Sequence, residues 1–230
     1  MKLVLFDIDG TILTSDGAGR RAMQGALTHV FGDCGPHGYH YDGKTDPQIA
    51  RDLMRLSGHD DARIDALLPR LMARYLEGLV KELEGGALRL RVLPGVRALL
   101  DALEVRADVL LGLLTGNIDR GATIKLRAAG IDPARFRVGA FGSDHAHRPE
   151  LPGIAQRKAR ESLGIHIDGG QIVVIGDTPS DIECGRAIGA RAIAVATGRY
   201  DVAALRACRP FAVFPDLSEV PSVMEAIVRA

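Results

Sequence analysis

Six short apolar runs recur along the chain, at 3–6 (LVLF), 109–115 (VLLGLLT), 138–141 (VGAF), 172–176 (IVVIG), 192–197 (AIAVAT) and 211–214 (FAVF). Between them, segments 96–103, 122–129, 154–163, 181–189 and 220–228 carry apolar residues at helical spacing. A strand that is apolar throughout must be covered on both faces. Such strands alternating with helices therefore predict a parallel sheet between two helical layers, an α/β fold. Sheets of this kind bind ligands beyond the carboxyl ends of their strands.

The stretch from 14 to 91 breaks the rhythm. It holds only helical patterns, at 18–31, 47–56 and 64–84, with Pro69 near the start of the last. This predicts a small all-helical insertion after the first strand. Glycine-containing segments flank it, DGAG at 16–19 and EGG at 84–86, and permissive residues suit hinges. The predicted division is a core of residues 1–14 and 90–230 and a helical unit of residues 15–89.

The first apolar run leads straight into acids. In KLVLFDIDGTIL (2–13), Asp7 and Asp9 stand two residues apart and are followed by Gly10 and Thr11. The run 109–115 ends in Thr115, followed by Gly116 and Asn117. The run 172–176 is followed by Asp177 and, in the same segment, Asp181. If these strands are parallel neighbours, all of these groups meet at one sheet edge. Four carboxylates in one pocket repel, which raises a pKa or recruits a cation. An oxygen-only set with no nearby His or Cys favours Mg²⁺, held by one or two carboxylates plus a substrate phosphate. An aspartate can attack phosphorus, and a second one can protonate the leaving alkoxide and then take a proton from water. A threonine hydroxyl and backbone N–H groups at strand–helix turns can hold phosphoryl oxygens, which makes Gly10, Thr11, Gly116 and Asn117 substrate-binding candidates beside Thr115.

Composition removes other classes. Twenty-nine basic residues balance twenty-nine acidic ones, so no net field points to nucleic acid or to an anionic membrane. No apolar run approaches the roughly 18 residues of a membrane span, and two aspartates interrupt the first ten residues, unlike a secretory leader. The three cysteines, Cys34, Cys184 and Cys208, are odd in number and widely spaced, which suits reduced thiols in the cytoplasm.

DIDGT at 7–11, LLTGN at 113–117 and GDTPSD at 176–181 resemble motifs one, two and four of the haloacid dehalogenase-like superfamily of phosphatases. Their order, their spacing and the helical insertion between the first two extend the resemblance over nearly the whole chain. It implies a Rossmann-like core with a mobile helical cap, Asp7 as nucleophile and Asp9 as general acid/base. It also implies Mg²⁺ held by the Asp7 side chain, the Asp9 main-chain carbonyl and Asp177, with Asp181 one helical turn on and close behind the metal. The third motif of the family is normally a lysine, often followed by proline. Here Arg148 precedes Pro149, so a forked donor takes that place. In YDGKTDPQI (41–49), Asp46 and Pro47 open a cap helix with Asp46 as N-cap, and Lys44 and Thr45 before it face the site. His145 and His147 read as solvated rather than as metal ligands. The implied reaction is hydrolysis of a small phosphorylated metabolite, similar to phosphoglycolate phosphatases, by a monomer or homodimer. Sugar-phosphate mutases and phosphonoacetaldehyde hydrolases (for which Lys44 is the early cap lysine) are alternatives within the superfamily, and a non-catalytic phosphate-binding protein is a third reading. Dehalogenation leaves Asp9, Asp177 and Asp181 unexplained.

Overall fold

Strand β1 (Lys2–Phe6) alternates its side chains between two apolar layers, Val4 and Phe6 in one and Leu3 and Leu5 in the other. The computed structural model describes residues 1–84 and 90–230. After β1 the chain forms β2 (Leu13–Thr14), then helices α1 (Ala18–Phe31), α2 (Asp46–Leu56) and α3 (Asp61–Glu84), and returns in β3 (Arg91–Val92). The rest alternates helix and strand: α4 (Val96–Glu104), β4 (Val109–Thr115), α5 (Asp119–Ala128), β5 (Val138–Phe141), α6 (Leu151–Leu163), β6 (Ile172–Gly176), α7 (Pro179–Cys184), β7 (Arg191–Val195), α8 (Val202–Ala207), β8 (Ala212–Phe214) and α9 (Val220–Arg229).

Six strands form one sheet in the order β5-β4-β1-β6-β7-β8, and every pairing is parallel. This is the α/β, Rossmann-like arrangement that the alternation predicts. Helices α4, α5 and α9 cover the Val4–Phe6 layer, through Leu99, Leu100, Leu126, Val223 and Ile227. Helix α6 covers the other layer with Leu151, Ile154, Ala155 and Ala159. From β1 the chain moves outward through β4 and β5, then crosses back to lay β6 on the opposite side of β1. The carboxyl end of β1 is therefore the switch point of the sheet, where a crevice opens.

Helices α1 to α3 build a separate apolar cluster, with Met23, Leu27, Leu53, Met54, Leu71 and Tyr75 buried. Helix α3 continues through Pro69, whose helix-breaking tendency is outweighed by burial of Leu71, Tyr75 and Leu79 on one face. The region expected to lack strands carries a short antiparallel ladder at its mouth, β2 against β3, two residues on each side. At the entry, Asp16 (φ 49°) and Gly17 (φ 80°) are both left-handed. Of the second flanking segment, Gly85 and Gly86 lie outside the described residues. The single helix expected over 181–189 is α7 followed by a 3₁₀ turn at Arg186–Ile188, because Gly185 and Gly189 interrupt it. Helix α8 was not anticipated. Among the described residues no helix is long and apolar enough to cross a membrane.

Candidate active site

Asp7 is the first residue beyond β1, and its N–H donates to the Ile175 carbonyl (2.9 Å), so the sheet ladder itself fixes where the carboxylate emerges. Arg148 reaches the same place from a 3₁₀ turn ahead of α6. It is buried, and its Nη2 donates to Asp7 Oδ1 (3.1 Å) and to Asp181 Oδ1. The other oxygen of Asp181 accepts from the Thr178 N–H (3.0 Å) and the Thr178 hydroxyl (2.6 Å), part of the capping box that starts α7. Asp177 accepts the Thr11 hydroxyl at 3.0 Å. Gly10, at φ 84°, lies against the Asp177 carboxylate, where any β-carbon would collide.

Asp7, Asp177 and Asp181 each place one carboxylate oxygen within 4.8 Å of the others. Burial pushes Asp7 up to about 7, opposed by Arg148 and reinforced by Asp181 and Asp9. Asp177 is also raised, by burial first and then by Asp181 and Asp7. Burial works against the charge on Arg148, but Asp181 and Asp7 outweigh it and raise that group further. One guanidinium thus faces three buried acids. Such an all-oxygen, charge-crowded set fits a hard divalent cation. Both oxygens of Asp181 are engaged, whereas Asp7 Oδ2 and Asp177 Oδ2 accept no hydrogen bond among the described residues, so Asp7 and Asp177 are the side chains best placed to hold one.

A second network adjoins the first. Thr115 ends β4 fully buried, and its Oγ1 accepts from Asn117 Nδ2 (2.8 Å) and from the Asn117 N–H (3.3 Å). Both lone-pair sites being used, the hydroxyl hydrogen is left to donate elsewhere. Asn117 Nδ2 also donates to Asp9 Oδ2 (2.7 Å), as does the buried Lys125 Nζ (2.6 Å). The carboxylate of Asp9 is outside the close triad of Asp7, Asp177 and Asp181, although its charge still acts on Asp7.

A cavity of about 280 Å³ opens over these groups, lined by Asp7, Asp9, Thr115, Arg148 and Asp177 from the sheet edge. Residues expected to face a substrate are divided. Gly10, Gly116, Asn117 and Lys44 line the cavity. Thr11 does not: its hydroxyl serves Asp177 and its N–H donates to the Ile8 carbonyl (3.3 Å). The Gly10 N–H is likewise used within the turn, by Leu13 O at 2.8 Å. Lys44 lines the opening, but its ammonium is tied to the Tyr39 hydroxyl (2.6 Å) and Asp52 (3.4 Å). His145 and His147 contact each other through backbone and ring, and among the described residues neither belongs to the acidic triad.

The insertion docks on this edge through main chain. Asp46 N–H donates to Gly116 O (2.7 Å), and a β-carbon at Gly116 would strike the Lys44 carbonyl. The N-cap of α2 is Thr45 rather than the expected Asp46: Thr45 Oγ1 accepts from Gln48 N (3.2 Å) and donates to Ala146 O (2.7 Å). Asp46 is released from capping because its carboxylate turns inward, to the Ile118 N–H (2.9 Å) and the buried Tyr75. Sequence reasoning gave no role to Lys125 or Tyr75. A signal existed for both: Lys125 shares the apolar face of α5 with Ala122 and Leu126, and Tyr75 sits one turn from Leu71 and Leu79.

The chain is similar to known proteins over most of its length. A phosphoglycolate phosphatase of Synechococcus elongatus is 28% identical over 216 residues, 91% of each chain. Among solved structures, a hydrolase from Pseudomonas syringae superposes with a TM-score of 0.73 at 22% identity, over 98% of both chains. CbbY from Rhodobacter sphaeroides in complex with phosphate gives 0.72 at 18% identity, over 96% of both chains. These two likenesses are likenesses of fold. The family model for haloacid dehalogenase-like hydrolases matches residues 4–186, the span running from β1 past Arg148 and Asp181. With four-fifths of its length under that match and its acids gathered at the switch point, the chain belongs to the haloacid dehalogenase-like hydrolase family.

Proposed function

We propose that this protein is a Mg²⁺-dependent phosphatase that hydrolyses a small phosphate monoester of the phosphoglycolate type through an aspartyl-phosphate on Asp7. The observation that carries the reading is the opening of Asp7, Thr115, Arg148 and Asp177 onto one small cavity at the carboxyl end of β1. The curated relative supports the substrate class.

The first step joins a carboxylate oxygen of Asp7 to phosphorus while the bond from phosphorus to the ester oxygen breaks. The electron pair departs with that oxygen, which receives a proton from Asp9. Thr115 donates its free hydroxyl hydrogen to a phosphoryl oxygen, and Arg148 fixes the Asp7 carboxylate through Oδ1. In the second step a water oxygen bonds to phosphorus as Asp9 takes its proton. The Asp7–phosphorus bond breaks, and inorganic phosphate leaves. Asp7 and Asp177, with Asp181 close by and the Asp9 main-chain carbonyl, would hold Mg²⁺, which would supply charge that offsets the repulsion of nucleophile and phosphate. Gly116 and Asn117 border the phosphoryl site. Residues 15–89 act as a cap that excludes bulk water, and Lys44 at its loop faces the leaving group. The substrate is a free metabolite in the cytoplasm, and the enzyme works as a monomer or homodimer.

The test is turnover of p-nitrophenyl phosphate by the purified protein. Hydrolysis is expected with Mg²⁺, none above background with EDTA, and none by Asp7→Asn. An Asp7→Asn protein as active as the wild type rules the mechanism out.

A further inference from the structure

Lysine is rarely buried without a partner, and Lys125 is 3% exposed at the joint between the sheet edge and the insertion. Its Nζ donates to Asp9 Oδ2 (2.6 Å) and to Asn117 Oδ1 (2.7 Å), while Asn117 Nδ2 returns to the same Asp9 oxygen (2.7 Å) and to Thr115 Oγ1 (2.8 Å). The triangle is closed: each of Lys125, Asn117 and Asp9 touches the other two. It engages one oxygen of Asp9 twice and leaves Oδ1 without a donor among the described residues.

The side chain of Asp9 is 42% exposed, so without the triangle it would sample several rotamers. A proton donor works only from within hydrogen-bond reach of the atom it serves. From above, α1 crosses so near that a β-carbon at Gly19 would lie 3.3 Å from Lys125 Nζ and 3.7 Å from the Tyr75 hydroxyl. The lysine is thus shut in by the insertion, and of the two Asp9 oxygens it meets only Oδ2.

We infer that Lys125 is the positioning residue of Asp9: with Asn117 it pins Oδ2 and presents Oδ1 to the cavity, from which the proton passes to the leaving oxygen. The inference rests on the reading of Asp9 as the group that exchanges protons. Its test is a series of aryl phosphates of nearly equal size, from p-nitrophenyl, which departs readily as an anion, to p-methoxyphenyl, which needs the proton. The quantity read is the ratio of their kcat/KM values, which reports the step that expels the leaving group.

Lys125→Met is expected to raise the p-nitrophenyl to p-methoxyphenyl ratio about tenfold, a fraction of what a general acid contributes. Asp9→Asn is expected to raise it at least as much. Lys125→Gln, which keeps a donor for Asp9, falls between wild type and Lys125→Met, and it retains a readout if the methionine variant does not fold. If Lys125→Met and Lys125→Gln slow both esters equally while Asp9→Asn shifts the ratio, Lys125 only fills space and the inference is overturned with the mechanism intact. If Asp9→Asn itself leaves the ratio unchanged, the reading of Asp9 fails, and the inference falls with it.

Discussion

The sheet edge and the helical insertion both present charged side chains to the same cavity, yet they hold them in opposite ways. At the edge, Asp7, Asp181 and Arg148 have side chains less than a tenth exposed, and each depends on charges brought from another strand end. In the insertion, Lys44 and Asp52 are each about a quarter to a third exposed, and they pair within one loop and the helix after it. Buried charge that is interlocked cannot lose one member cheaply, because the partner is left desolvated and uncompensated. Half-exposed pairs are screened and replaceable by water. Crowded carboxylates are thus held where partners from separate elements bury them, whereas the insertion keeps its charges where water can replace a lost partner.

The strongest way to break this contrast is to remove one cation from each side. Arg148→Ala is expected to destabilise the metal-free protein by about 3–5 kcal/mol, the cost of stranding a buried charge. Lys44→Ala should cost about 0–1 kcal/mol. Urea unfolding of both variants in EDTA checks the pair. Equal losses would show that the edge is no more interlocked than the insertion.

How much of this was legible follows the same division. Apolar runs and helical spacing found all six strands of the main sheet, and α1 was expected at 18–31, where it lies. Burial on both faces writes a continuous signal into the chain, and strand-end acids stand out against it. Two-residue ladders such as β2 and β3 carry no period to detect. The fate of Asp46 was equally hidden: Asp before Pro is a good cap by local rules, but the docking of α2 on Gly116 and Ile118 turns its carboxylate inward. Thr11 and Gly10 were read as phosphate donors from a turn whose own hydrogen bonds consume their N–H groups. Lys125 was the costliest omission. A lysine on the apolar face of α5 pointed to a buried partner, but which acid it meets depends on how α5 packs under α1.

Asp46 is where the contrast can be sharpened, since it belongs to the insertion but is buried like an edge residue. Burial pushes it up to about 6, opposed by Lys125 and the Ile118 N–H. Its unfolded value is about 4. A carboxyl raised by folding holds its proton more tightly in the native state, so the stability it lends is full below about pH 4 and is lost as pH rises through about 6. Asp46→Asn keeps an oxygen for the Ile118 N–H and removes the titration. The stability of the variant relative to wild type should therefore rise by up to about 3 kcal/mol between roughly pH 4 and pH 7. Parallel urea profiles across that range would mean that Asp46 is solvated in the way Lys44 is.

The smallest effect concerns Arg20, the cavity cation of the insertion with no carboxylate partner among the described residues. Its guanidinium lies 4.2 Å from the centre of the Tyr41 ring and donates to the Tyr39 carbonyl at 3.3 Å, so it is positioned but not neutralised. The other cavity cations all face acids: Lys125 meets Asp9, Lys44 meets Asp52, Arg199 meets Asp42 and Arg148 meets Asp7. A charge left open beside the proposed phosphate site would favour a substrate with a second anion on its leaving group. Arg20→Met is accordingly expected to raise KM for 2-phosphoglycolate about tenfold, near 1.4 kcal/mol. KM for p-nitrophenyl phosphate, which has no second anion, should stay within about twofold, and kcat should hold for both. A KM that moves equally for the two esters would place Arg20 with the residues that keep the tyrosine loop in shape, and would leave the insertion with no group that reads charge.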